Sequence, residues 1–176
     1  MVMIKTKVMK TFVLLGSGEF TPAMLDVDKY LLSFIQKNPV SVAIIPAAAG
    51  KEETPQKWVA DGVSHFKKLG AAPFGVFVLE RKDAVNKKFL DQVSKADIIY
   101  FSGGDPGHLL TVLKNSPLWK LVYSKCEEGC ILVGSSAGAM VLGKYVLSNA
   151  QQIFPEGKDP VWEPGLNLLP YSILRD

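Results

Sequence analysis

Cysteine, histidine and arginine are scarce in this chain of 176 residues: Cys126 and Cys130, His65 and His108, Arg81 and Arg175. The two cysteines sit four apart in "CEEGC", with no further cysteine and no nearby histidine to complete a ligand set. That excludes a metal site built on the pair and favours two reduced, buried thiols over a disulfide. Charge of one sign is also lacking, since 20 basic side chains face 17 acidic ones for a net +3. The lysines are scattered in pairs such as Lys67-Lys68 and Lys87-Lys88, which read as solvated helix faces, so no nucleic-acid partner is expected. The apolar runs at residues 12–15 and 40–49 fall well short of the roughly 20 residues a membrane span needs. The first 15 residues have no long apolar core with a cleavage site, and a soluble, cytoplasmic protein without membrane partners is the expectation. Repeats and low-complexity tracts are absent. With 48% hydrophobic and 21% charged residues, the length fits one α/β domain over residues 1–176.

Short, nearly continuous apolar runs recur at residues 11–15, 41–46, 75–79, 97–101 and 130–133, the pattern of strands buried on both faces. Between them lie helical patterns at 27–36, 55–69, 84–94 and 117–127, with Asn38-Pro39, Gly70 and Gly129 as stops. Alternation of strand and helix predicts right-handed βαβ crossovers and a parallel, flavodoxin-like sheet with helices on both faces. Such sheets bind ligands beyond the carboxyl ends of their strands. Four predicted ends carry small residues there: "GSGEF" (16–20), "PAAAG" (46–50), "SGGDPGH" (102–108) and "GSSAGA" (134–139). Any one alone reads as a tight βα turn; four on one edge point to a pocket.

A nucleophile elbow needs small residues two before and two after the reactive side chain. Centred on Ser136 these are Gly134 and Gly138; centred on Ser135 they are Val133 and Ala137, so the spacing selects Ser136. A helix over residues 137–142 would add backbone N–H groups and the positive end of its dipole near a developing oxyanion. The competing reading of Ser136 is a serine that caps this helix.

"LLGSGEF", "YFSGGD", "GSSAGA" and the late "GLNLLP" (165–170), in this order along nearly the whole chain, resemble the dipeptidase E and cyanophycinase family of serine peptidases, whose fold is similar to class I glutamine amidotransferases. The resemblance implies Ser136 as nucleophile, with the N–H of Ala137 and one from Gly103-Gly104, assigned to Gly104, as the oxyanion hole. It implies Glu19, Gly103, Asp105 and His108 as substrate-binding residues, and neither cofactor nor metal. The substrate would be a small peptide: dipeptidase E relatives cleave after an N-terminal aspartate, and cyanophycinases cut a β-linked aspartate–arginine polymer. An acidic substrate would want a cation, for which Arg81 and Arg175 are the two arginines present. Glu19 would receive a substrate amino group, or be a plain turn carboxylate. A homodimer is admitted, not required.

The general base is the difficulty. In related chains the catalytic histidine follows the proline of the "GLxLLP" segment by six or seven residues, and here Pro170 is followed only by "YSILRD", which reads as the start of an edge strand. Three accounts are ranked in order: a truncated form of a longer enzyme, impaired as it stands; a natural product without its base; a protein that uses His108. Against the last, His108 is expected beyond hydrogen-bond reach of the Ser136 hydroxyl, because one short turn rarely supplies both base and oxyanion donors. His65 is expected to be a surface or partly buried helical residue. For the orienting carboxylate the nearest acids are Glu156 and Asp159, with Glu163 beyond, all in a segment that prolines and Gly157 mark as irregular. The rival functions are a non-catalytic binding module of the same fold and a glutamine amidotransferase subunit; the second needs a cysteine nucleophile, and Cys130 lies six residues before the elbow.

Overall fold

A computed structural model describes residues 10–174. Its centre is a five-stranded, wholly parallel sheet of β1 (Phe12–Leu15), β2 (Ser41–Ile45), β3 (Ala72–Gly75), β4 (Ile98–Phe101) and β5 (Ile131–Ser135), in the spatial order β1-β5-β4-β2-β3. The side chains of the central strands alternate between two apolar layers. Val42, Ile44, Ile98, Tyr100, Ile131 and Val133 join Leu31 of α1 (Leu25–Ser33) and Phe66 of α2 (Pro55–Lys68) on one face. Ala43, Ile45, Ile99, Phe101 and Leu132 face α3 (Lys87–Val93), α4 (Pro106–Leu113) and α5 (Pro117–Glu127) on the other. Both faces are covered, which is why the runs show no polar alternation.

Local chemistry sets the helix ends. Asp105 and Ser116 accept from the N–H groups of His108 and Trp119, 3.0 and 2.9 Å away, and each is followed by proline at the first helical position. Gly70 and Gly129, at φ +80° and +101°, end α2 and α5. The bonds Ala71 N–H to Phe66 O (3.1 Å) and Cys130 N–H to Lys125 O (2.9 Å) close the same left-handed cap in both.

The structure departs from the sequence reading in several places. The third strand lies at Ala72–Gly75, not at 75–79. It is a sheet edge whose residues 72 and 76 donate to Val40, just ahead of β2, and to Ile44 within it, so the missing N–H of Pro73 falls on the outer side and does no harm. The helix expected at 84–94 is interrupted by Asn86, extended at φ −72° and ψ +118°, whose side chain caps Lys88 N–H and starts α3 there. Helix α1 begins and ends two to three residues earlier than the expected 27–36. Helix α4 is an addition, hidden in sequence by the turn-like Pro106-Gly107.

Beyond β5 come the one-turn α6 (Ala137–Met140), shorter than the expected 137–142, then β6 (Tyr145–Leu147), α7 (Ala150–Glu156) and β7 (Trp162–Pro164). Strands β6 and β7 form an antiparallel ribbon. Residues 171–174 are not a strand, contrary to the edge strand read from "YSILRD"; their backbone meets the segment after α6, with Lys144 N–H donating to Tyr171 O at 2.9 Å. No helix among the described residues is long and apolar enough to cross a membrane.

Candidate active site

Because β1, β5 and β4 are neighbours, with Leu15 opposite Ser135 and Phe101 opposite Gly134, the chain leaves all three at one level. There the residues Ser17, Gly18, Glu19, Glu52, Trp58, Gly103, Gly104, Ser136 and Gln151 line a cleft of about 340 Å³.

Ser136 is held at φ +49° and ψ −112°, a backbone state that a residue with a Cβ adopts only under constraint. The constraints are visible. Its N–H donates to Leu15 O at 2.8 Å, and its carbonyl accepts from Ala139 and Met140 at 3.0 and 2.9 Å. The flanking glycines are needed for space: a Cβ on Gly134 would lie 2.4 Å from Gly138 O, and one on Gly138 would lie 2.4 Å from Phe101 O. Its side chain makes no cap bond to α6, so the capping alternative has no support here. Ser135, the other serine of the pair, is fully buried.

The N–H groups around the elbow can be accounted for one by one. After β4, Ser102 donates to Ile45 O (3.3 Å), Gly103 to Glu19 Oε1 (2.9 Å) and Asp105 to Ala48 O (2.9 Å). Among the described residues, the N–H groups of Gly104 and of Ala137 and Gly138, at the head of α6, have no protein acceptor. Gly104 sits at φ +141° with its backbone against Ala48, where a Cβ would come within 2.5 Å of that carbonyl. Of these donors, Gly104 lines the pocket that holds Ser136, whereas Ala137 follows that serine in the chain and is not among the lining residues.

Of the four residues expected to bind substrate, Glu19 and Gly103 line the cleft, and Asp105 and His108 are not among its lining residues. Asp105 caps α4 and pairs with Lys51 at 3.5 Å. The ring of His108 donates from Nε2 to Leu79 O at 2.7 Å, across the face of Gly50, and no described hydrogen bond joins it to Ser136. Glu156 and Asp159 are exposed and lie outside the cleft; Glu156 pairs with Lys158 at 2.8 Å. Arg81 caps the end of α4 through the carbonyls of Thr111, Val112 and Lys114, while Arg175 lies outside the described residues.

His65 corrects the sequence reading most sharply. It is buried, 4% exposed, and its Nε2 lies 2.7 Å from Oδ2 of the equally buried Asp28. Burial pushes the Asp28 carboxyl above its ordinary range, with the His65 contact acting the other way. Burial, then the charges of Asp28 and Glu19, push the Tyr100 phenol up as well. This polar group lies under an aromatic cluster in which the Phe20 ring is 4.8 Å from Tyr100 and 6.1 Å from His65. Sequence reasoning also missed Glu52 and Trp58, joined by an indole N–H bond of 2.9 Å, and Gln151; the "PAAAG" turn ahead of Glu52 was the one signal for that wall.

Comparison with known proteins gives the family. The model of peptidase family S51 matches residues 12–174. A crystal structure of a peptidase from an acI-B1 Actinobacterium superposes with a TM-score of 0.78 at 33% identity, covering 92% of this chain and 66% of that one. The uncharacterized peptidase YgaJ of Bacillus subtilis (strain 168) is 25% identical over 134 residues, 75% of this chain and 56% of its own length. The cyanophycinase of Synechococcus elongatus is 29% identical over 110 residues, 61% of this chain and 33% of its own. The chain therefore spans about a third to a half of the curated relatives it matches. With a match running from β1 through the cleft to the last described residue, the chain belongs to peptidase family S51.

Proposed function

We propose that this chain carries the nucleophile and oxyanion hole of a serine peptidase that acts on short, aspartyl-containing peptides. The observation that carries the reading is the strained elbow at Ser136, φ +49°, opening on a cleft that the uncommitted Gly104 N–H also lines, with the uncommitted N–H of Ala137 next to the serine in the chain. In the reaction, the Ser136 Oγ attacks a peptide carbonyl carbon and gives up its proton to a base. The carbonyl oxygen becomes an anion between the N–H groups of Gly104 and Ala137. Collapse of this intermediate breaks the C–N bond, the leaving amine takes a proton, and an ester on Ser136 remains. Water then attacks the ester, releasing the acid and restoring the hydroxyl. The positive end of a one-turn helix contributes little here; the aimed N–H groups carry the stabilisation.

One observation favours a second reading, a binding module of the same fold: both histidines are committed elsewhere, His65 to Asp28 and His108 to Leu79 O. Hydrolysis of aspartyl dipeptides by the full-length protein, set beside its Ser136→Ala variant, separates the two. The peptidase reading expects turnover that the variant loses by about 10³-fold or more, the scale seen when a serine nucleophile is removed. Binding of the peptides without turnover, or turnover that survives Ser136→Ala, would leave the module or an unrelated chemistry.

A further inference from the structure

Glu19 was expected either to meet a substrate amino group or to sit idle in a turn. Its geometry indicates a different role. Its Oε1 accepts the N–H of Gly103 at 2.9 Å, a contact between the turns that follow β1 and β4. Several features exist to permit it. A Cβ on Gly103 would lie 2.9 Å from that same oxygen, so a larger residue there would make the carboxylate draw back. Gly18, at φ +81°, turns the chain just ahead of Glu19, and Phe20, at φ +64°, turns it just after. The strained Phe20 is locked by its ring, which packs on Tyr100, His65 and Phe66, and approaches α2 so closely that a Cβ on Gly62 would lie 2.9 Å from its Cζ.

Two glycines in succession can present either face of their peptide planes, because nothing steric selects one. An oxyanion hole built from such a pair needs an outside contact to fix it. We propose that Glu19 is a positioning residue: by taking the Gly103 N–H it fixes the Ser102–Gly103 peptide, from which the next peptide, the one carrying the Gly104 N–H, is set, so that the Gly104 N–H remains the one donor of this turn left for the oxyanion. The inference rests on the peptidase reading for its consequence in catalysis, and on the Gly103 contact alone for its structure. Glu19 acts through Gly104 and need not touch the reacting atoms.

The test uses the full-length protein with Glu19→Gln, which keeps an acceptor oxygen, and with Glu19→Ala and Glu19→Met, which do not; methionine keeps the side-chain length in case alanine impairs folding. In the ¹⁵N-labelled protein, the Gly103 amide proton should resonate downfield, shift little in Glu19→Gln and move upfield in Glu19→Ala and Glu19→Met. On an aspartyl dipeptide, Glu19→Ala and Glu19→Met should lower kcat by about 10²-fold, the effect of losing one oxyanion donor, with KM held within about threefold, while Glu19→Gln stays within about tenfold of the parent in kcat. A Gly103 resonance indifferent to loss of the acceptor would overturn the proposal whatever the protein hydrolyses. So would a rise in KM as large for glutamine as for alanine, which would make Glu19 a receptor for substrate charge. A lower melting temperature with unchanged kcat would also overturn it, as a purely structural role. Turnover that survives Ser136→Ala would remove the peptidase reading, and the Gly103 resonance would still decide the contact.

Discussion

Replacing Gly134 by alanine places a methyl carbon 2.4 Å from Gly138 O, 2.5 Å from Gly138 C and 2.7 Å from Ala139 N. Ordinary contact between such atoms begins near 3.5 Å, so the overlap is about 1 Å. All three neighbours are backbone of α6, which follows the β1-bonded Ser136 and packs against β5 and α4, and none can swing aside as a side-chain tip would. Overpacking of this kind costs about 1–3 kcal/mol, and contact with backbone on a sheet-centre strand puts this case near the upper figure. For a chain of this size each kcal/mol lowers the melting temperature by about 2–4 °C, giving a fall of about 6–12 °C. The elbow must also shift, and a displacement of about 1 Å at a reacting group costs about 10² in rate. Gly16→Ala is the control: a Cβ there meets nothing within 4 Å, so its melting should change by no more than about 0.5 kcal/mol allows. Differential scanning calorimetry and the rate of phosphonylation of Ser136 read the two effects. If Gly134→Ala melts and reacts like the parent, the packing account of the elbow is wrong.

Three further outcomes are expected. His65→Ala strands the Asp28 carboxylate in the core and should destabilise the fold by about 3–5 kcal/mol at neutral pH. Because the folded Asp28 carboxyl is raised, its protonated form is the one the fold tolerates; the penalty should shrink as pH falls toward the ordinary aspartate range, and urea midpoints that fall equally at pH 7 and pH 4.5 would refute this. Burial pushes the Cys126 and Cys130 thiols up to about 11 and about 12, so iodoacetamide at pH 8 should modify them only as fast as the protein opens; rapid modification of the native state would contradict their placement. His108→Ala should lower stability through the lost Leu79 contact and reduce hydrolysis far less than Ser136→Ala does; equal losses in the two variants, with the fold intact, would make His108 the base.

Four of the five strands were legible as short apolar runs, because the centre of the sheet is buried on both faces and leaves nothing polar to confuse them. The elbow was legible because its requirement is local: Gly134 and Gly138 stand two residues either side of Ser136, and the clashes they avoid involve each other and the neighbouring strand. What failed to show has two causes. Asp105-Pro106-Gly107 uses turn residues to start a helix, so composition pointed away from α4. The remainder is long-range. Glu19 meets Gly103 across 84 residues, and Asp28 meets His65 across 37, and no periodicity within a single element encodes such a pairing. The third strand slipped for an intermediate reason: an edge position tolerates Pro73, which a central strand would not.

The central claim is that Ser136, alone among the serines near the strand ends, is the nucleophile. Ser102 and Ser135 are fully buried; Ser17 lines the cleft with Ser136 but lies on the turn after β1, without the positive φ of the elbow. Reaction of the full-length protein with a serine-directed fluorophosphonate, followed by peptide mapping in a mass spectrometer, should find one adduct, on Ser136, and none in Ser136→Ala. An adduct on Ser135, or no adduct on a folded protein, would contradict the account.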